Sequence, residues 1–177
     1  MREVRTSVLL SLVMVLLATH AFAEPANPVH EDAKCPVCGM YVAKFDQWLA
    51  QIVDTGAGAG AEPLVFDGVK DMMAFYFDPP RYGSDIDMST VEIWVRNYYT
   101  LDYIDGRTAL YVLGSDVRGP MGDELIPFAT MAEAENFMKD HRGTEIVRFD
   151  DIGAGLITEM KKKHMMKMKK MKSKMKP

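Results

Sequence analysis

Thiols are scarce in this chain: Cys35 and Cys38 are the only two cysteines in 177 residues. That excludes a disulfide framework. A closed tetrahedral zinc site is also hard to assemble, because His30, His141 and His164 are scattered and no second cysteine pair exists. Basic side chains are scarce in the body. Residues 24–160 hold 24 acidic and 10 basic groups, a net charge of −14. A nucleic-acid-binding fold would carry its cations on the fold itself, so that class is excluded. Nor is there a Ser-His-Asp arrangement, a phosphate-binding glycine loop or a defensible pair of catalytic carboxylates. The acidic stretch with Asp78, Asp85 and Asp87 lacks the ligand order of an EF-hand loop and reads as solvated.

The longest apolar run, residues 8–18, is too short to cross a bilayer comfortably. Arg2 and Arg5 precede it and Ala21-Phe22-Ala23 follows, so residues 1–23 read as a signal peptide cleaved before Glu24. An uncleaved anchor is the competing reading. The mature protein is expected in a bacterial periplasm, and with no cysteine at the cleavage point it is expected not to be lipidated.

Residues 24–34 carry Pro25 and Pro28 without periodicity and read as an extended arm. Strand patterns follow at 47–53 and 63–67, separated by a Gly/Ala loop, and then a helix over 69–77 that Pro79-Pro80 ends. The second half reads as a strand over 91–99 with Val91, Ile93 and Val95 on one face. A continuation at 101–104 precedes the Asp105-Gly106 dipeptide, which predicts a hairpin back along 109–114. Residues 125–128 lead into a helix over 131–139, and 144–149 close as a strand. Strand-then-helix units recur, so the expected fold is α+β: two small ββα modules with antiparallel sheets, at about 35–80 and 90–150, within one domain of residues 24–160. Trp48, Trp94, Tyr98 and Tyr99 sit on strand patterns and read as core or half-buried sheet.

The chemistry is concentrated in Cys35-Pro36-Val37-Cys38-Gly39-Met40. Three readings compete for it. Zinc lacks its second pair of ligands. Thiol–disulfide exchange expects the motif between a strand and a helix, whereas here it precedes every regular element and Gly39 discourages a helix start; a plain Cys35–Cys38 disulfide is the bland version. Copper(I) favours soft donors, and Cys35, Cys38 and Met40 place three sulfurs within six residues. A further methionine, Met121, stands in a Gly-Pro loop (Arg118 to Gly122), which is not where core packing would put it. Its bland reading is gap-filling between modules.

Cys-x-x-Cys-Gly-Met-Tyr-Val from Cys35 to Val42, Val65-Phe66-Asp67 before a helix, and Gly119-Pro120-Met121-Gly122 followed by Ile126-Pro127-Phe128 together resemble the NosL family. The resemblance implies a periplasmic Cu(I) chaperone on a two-module scaffold related to organomercurial lyase. It implies Cys38 and Met121 as Cu(I) ligands, with Cys35 and Met40 as further candidates. The implied client is nitrous-oxide reductase or its assembly machinery. Such a protein transfers its cargo by ligand exchange and is not an enzyme. Alternatives are a thiol–disulfide protein and an organomercurial-lyase-like enzyme using Cys35 and Cys38. Two features depart from the family pattern: members are typically lipoproteins, and residues 161–177 form a tail of nine lysines, no acid, His164 and five methionines. If helical, the tail would align His164, Met168, Met171 and Met175 on one face. It is read three ways: a disordered cationic segment, a helix on anionic lipid, or a face that gathers Cu(I).

Overall fold

The computed structural model describes residues 25–58 and 62–174. The expected signal peptide lies outside the described residues, as does Met175 of the tail.

Residues 42–48 make short turns of 3-10 helix, so the first strand starts later than its apolar pattern predicts, at β1 (Ala50–Asp54). β2 (Leu64–Phe66) follows, then α1 (Val69–Phe77). β3 (Val91–Arg96) and β4 (Tyr103–Asp105) complete a four-stranded antiparallel sheet in the order β2-β1-β3-β4. Val91, Ile93 and Val95 share its buried face, as their alternation requires. The chain then crosses to β5 (Leu110–Leu113) and makes a small hairpin of β6 (Arg118–Gly119) and β7 (Gly122–Asp123). β8 (Ile126–Phe128), α2 (Met131–Asp140) and β9 (Glu145–Arg148) follow. The second sheet runs β8-β5-β9, also antiparallel. α3 (Ala154–Lys174) is one continuous helix that carries the described part of the tail.

The α+β class with antiparallel sheets is as the sequence predicts. The repeating unit, however, is ββαβ rather than ββα: in each sheet the first strand is central, flanked by the strand before the helix and the strand after it. The Asp105-Gly106 dipeptide does not make a hairpin. The Gly106 amide donates to the Ile93 carbonyl on β3 at 2.7 Å, and the Asp105 carbonyl accepts from Thr108 and Ala109. This turn therefore ends the first sheet, and β5 pairs with β8 and β9 instead of returning along β4.

α1 begins at Gly68 and stops at Asp78 before Pro79-Pro80. It is buried on nearly every side, because its outer face is covered by α3. Its aromatic face packs Phe75 on Phe66 of β2 with ring centroids 5.5 Å apart. α2 is capped by a Thr130/Glu133 box and packs Phe137 against Tyr98 and Phe128 over the second sheet. Among the described residues no helix is long and apolar enough to cross a membrane.

Candidate metal centre

The cysteine motif forms a tight knuckle. A bridge pairs Lys34 with Tyr41, the Cys35 amide donates to the Met40 carbonyl, and the Gly39 amide donates to the Cys35 carbonyl at 2.8 Å. Gly39 closes this turn at φ +78°, a conformation that costs glycine nothing and other L-residues more. The knuckle turns both sulfurs toward the start of α1. There Cys35, Cys38, Asp67 and Asp71 bring one donor atom each within 4.8 Å of one another. Cys38 Sγ donates to Asp67 Oδ1 at 3.2 Å.

The cluster is dense in acidic groups and short of hydrogen bonds. Asp71 is 2% exposed, yet neither of its carboxylate oxygens has a hydrogen-bond partner, and Oδ2 of Asp67 has none either. Buried polar atoms are rarely left so. Burial, and then the Asp67 charge, holds the Asp71 carboxyl above the ordinary carboxylate range. Burial pushes the Cys35 thiol up to about 11, with the Asp67 charge adding to it. Cys38 is raised as well, first by burial, with Cys35 and Asp67 contributing. Both cysteines are free thiols, and the upward shifts keep them protonated at neutral pH.

Above the cluster opens a cavity of about 270 Å³, and Cys38, Asp71, Met121 and His164 are among the residues lining it. Met121 reaches it from the tip of the β6–β7 hairpin, where Pro120 and Met121 form the turn between paired Gly119 and Gly122. That tip is tied down by Lys70, a residue only 1% exposed, whose Nζ donates to the carbonyls of Met121 and Asp123 at 2.6 Å each. Glu124 braces the same seam by accepting from the amides of Lys70 and Leu125. Burial lifts the Glu124 carboxyl to about 7, although Lys70 beside it pulls the other way. His164 stands over Gly122, where an added Cβ would come within 2.5 Å of its Nδ1. Burial, and next the Lys70 charge, holds His164 below the usual imidazole range, which keeps a ring nitrogen free to ligate.

Of the residues picked from sequence, Cys38 and Met121 therefore meet on one cavity. Cys35 stands behind Cys38, fully buried within the cluster. Met40 is half-buried and contributes its backbone carbonyl to the knuckle, and its side chain is not among those lining the cavity. Sequence reasoning missed Asp67, Asp71 and Lys70 as site residues. Their one signal is a cluster of charges among apolar residues, with Asp67 just before α1 and Lys70 and Asp71 in its first turn.

A family model described as NosL matches residues 25–157. The curated copper-binding lipoprotein NosL of Stutzerimonas stutzeri is 26% identical over 133 residues, which is 73% of this chain and 67% of that protein. The crystal structure of the copper chaperone NosL from Shewanella denitrificans aligns with a TM-score of 0.57 at 22% identity, covering 75% of this chain and 98% of that one. The solution NMR structure of apo-NosL from Achromobacter cycloclastes aligns with a TM-score of 0.44 at 28% identity over 61% of this chain and 87% of that one.

Proposed function

Since this chain belongs to the NosL family, we propose that it is an exported Cu(I) carrier that holds its cargo between Cys38 and Met121 and hands it on by ligand exchange. The observation that carries this reading is the meeting of a thiol and a thioether on one cavity beside a buried carboxylate with no partner. The donor chemistry favours Cu(I): Cys38 and Met121 pair a thiolate with a thioether, whereas a zinc site on the two cysteines would have to be completed by the harder carboxylates of Asp67 and Asp71. Cys35 lies within reach of the same cluster and serves as a reserve thiolate, and Asp67 and Asp71 supply negative charge that offsets the cation.

The transfer follows from coordination number. Cu(I) on two sulfurs is under-coordinated, so a sulfur from an acceptor joins before Cys38 or Met121 departs. Loading exchanges the Cys38 proton for copper, and unloading returns it. No bond in an organic substrate is made or broken. The client this reading favours is nitrous-oxide reductase or its assembly machinery. Export rests on the leader of residues 1–23.

Anaerobic titration of the reduced mature chain with Cu(I), against a chromophoric chelator, tests the site. One tight ion is expected, lost in Cys38→Ser and weakened in Met121→Leu. Absence of competitive binding in the wild type would overturn the proposal.

A second reading has one observation behind it: two thiols beside a carboxylate, with Asp67 3.2 Å from Cys38, are also what mercury–carbon bond cleavage needs. Release of a hydrocarbon from an organomercurial, with mercury retained on Cys35 and Cys38, would favour that reading over the carrier.

A further inference from the structure

The core-facing stripe of α3 does not stop where the helix leaves the body. Ile157 and Met160 are buried against the core. The next residue in their register, His164, lines the cavity above Cys38, and the two after it are Met168 and Met171. At 3.6 residues per turn these five positions fall within an arc of roughly 80°. Past the body the stripe is bare, with Met168 41% and Met171 50% exposed.

Its composition is specific. A helix face that docks on protein or lipid is built from leucine, isoleucine and phenylalanine as readily as from methionine. Between Lys161 and Lys174 every apolar side chain is a methionine: Met165, Met166, Met168 and Met171. What these share with His164, Met121 and Cys38 is a soft or borderline donor atom rather than bulk.

We propose that this face of α3 is a copper track: Cu(I) is captured between Met171 and Met168, passes to Met168 and His164, and is delivered to Met121 and Cys38 in the cavity. The proposal rests on the reading of Cys38 and Met121 as the holding site. The spacing suits it, because i,i+3 and i,i+4 neighbours on a helix stand about 5–6 Å apart at Cβ, a gap that two flexible thioethers close on a shared ion. From Met171 to His164 the track is about 10 Å long at the helical rise. Charge gives it a direction. The outer stations sit among lysines with no acid nearby in sequence, which weakens any hold on a cation; Lys70 and Lys161 also line the inner cavity, but there Asp67, Asp71 and two thiols stand against them. Thioether and imidazole ligate without losing a proton, so each outer step exchanges one neutral ligand for another. Only the last step releases a proton, from the Cys38 thiol as its sulfur takes the ion, and copper stays Cu(I) throughout.

The test uses the full mature chain and Cu(I) presented as its bicinchoninate complex. It compares wild type, Met168→Leu/Met171→Leu and Cys38→Ser. Leucine keeps the bulk and apolarity of these exposed positions and removes only the sulfur. In stopped-flow transfer the double variant is expected to load several-fold more slowly than wild type. Its equilibrium affinity for the tight ion should be unchanged, and a weak second equivalent seen in wild type should be lost. Loading at the wild-type rate would overturn the track and leave the stripe an apolar docking face for lipid or protein. Cys38→Ser separates the two claims: it should lose the tight ion and keep the weak methionine-dependent one. If Cys38→Ser retained the tight ion, the holding site itself, and with it the end of the track, would be refuted.

Discussion

Replacing Lys70 by leucine, which adds no sulfur to the cavity, isolates the force that keeps Met121 in place. The Lys70 ammonium is buried and makes two bonds of 2.6 Å, to the carbonyls of Met121 and Asp123 at the hairpin tip. Bonds from a charged donor contribute about 1.5–3 kcal/mol each, while burying an ammonium costs several kcal/mol, so the two largely offset. Lys70→Leu should therefore lower global stability by only about 1–2 kcal/mol, or roughly 5 °C in Tm for a chain of this size. Its effect on copper should be of similar size but selective. If the freed tip holds Met121 over the cavity about one-tenth of the time, the apparent Kd rises about tenfold, or about 1.4 kcal/mol. The assay is a double-mutant cycle of chelator-competition affinities across wild type, Lys70→Leu, Met121→Leu and the double variant. Because Lys70 acts through Met121, the double variant should bind no more weakly than Met121→Leu alone. Additive losses, or an unchanged affinity in folded Lys70→Leu, would refute this assignment.

Copper affinity should climb with pH, because a thiol must give up its proton to bind. Cys35 is pushed up to about 11 and Cys38 is raised too, so between about pH 6 and 8 log K should rise by about one per pH unit if Cys38 alone binds as thiolate, and by about two if Cys35 joins it. A flat profile would mean that neither thiol ligates. Glu124 makes a prediction about the fold. Its folded pKa, about 7, lies above the ordinary 4.5, so the native state holds a proton there that the unfolded chain has released. Its contribution to stability is thus full below about pH 4.5 and is lost as pH rises through 7, by up to about 3 kcal/mol at the limit. Glu124→Gln should flatten that part of the stability profile in urea melts across this range, and an unaltered slope would show that the carboxylate is ionised in the fold throughout.

Some features were legible before folding and others were not, for local reasons. The bounds of α1, Val69–Phe77, were legible because a glycine precedes it and two prolines follow it. Asp105-Gly106 misled because a dipeptide encodes a reversal but not a partner. What decides the partner is the bond from the Gly106 amide to Ile93, far away in sequence. At the site, Cys35, Cys38 and Met121 stood out because sulfur in turn-rich loops is rarely there for packing. Asp67, Lys70 and Asp71 were hidden because charges at a helix start ordinarily face water. Here α3 and the β6–β7 hairpin cover them. His164 could be placed only once the tail was known to continue a helix docked on the body.

The residues around the cavity come from stretches far apart along the chain: the cysteine knuckle, the start of α1, the tip of the hairpin and the middle of α3. An ion held there ties the first sheet's half of the molecule to the second, as a reversible cross-link between parts that fold by different strands. A ligand that binds only the native arrangement stabilises it by about 2.7 kcal/mol at a hundredfold excess over Kd. The laden protein is therefore stiffer along this seam than the emptied one. On the carrier reading, cargo would be written into rigidity, and an acceptor or donor would sort full carriers from spent ones by how readily the hairpin and α3 yield when touched.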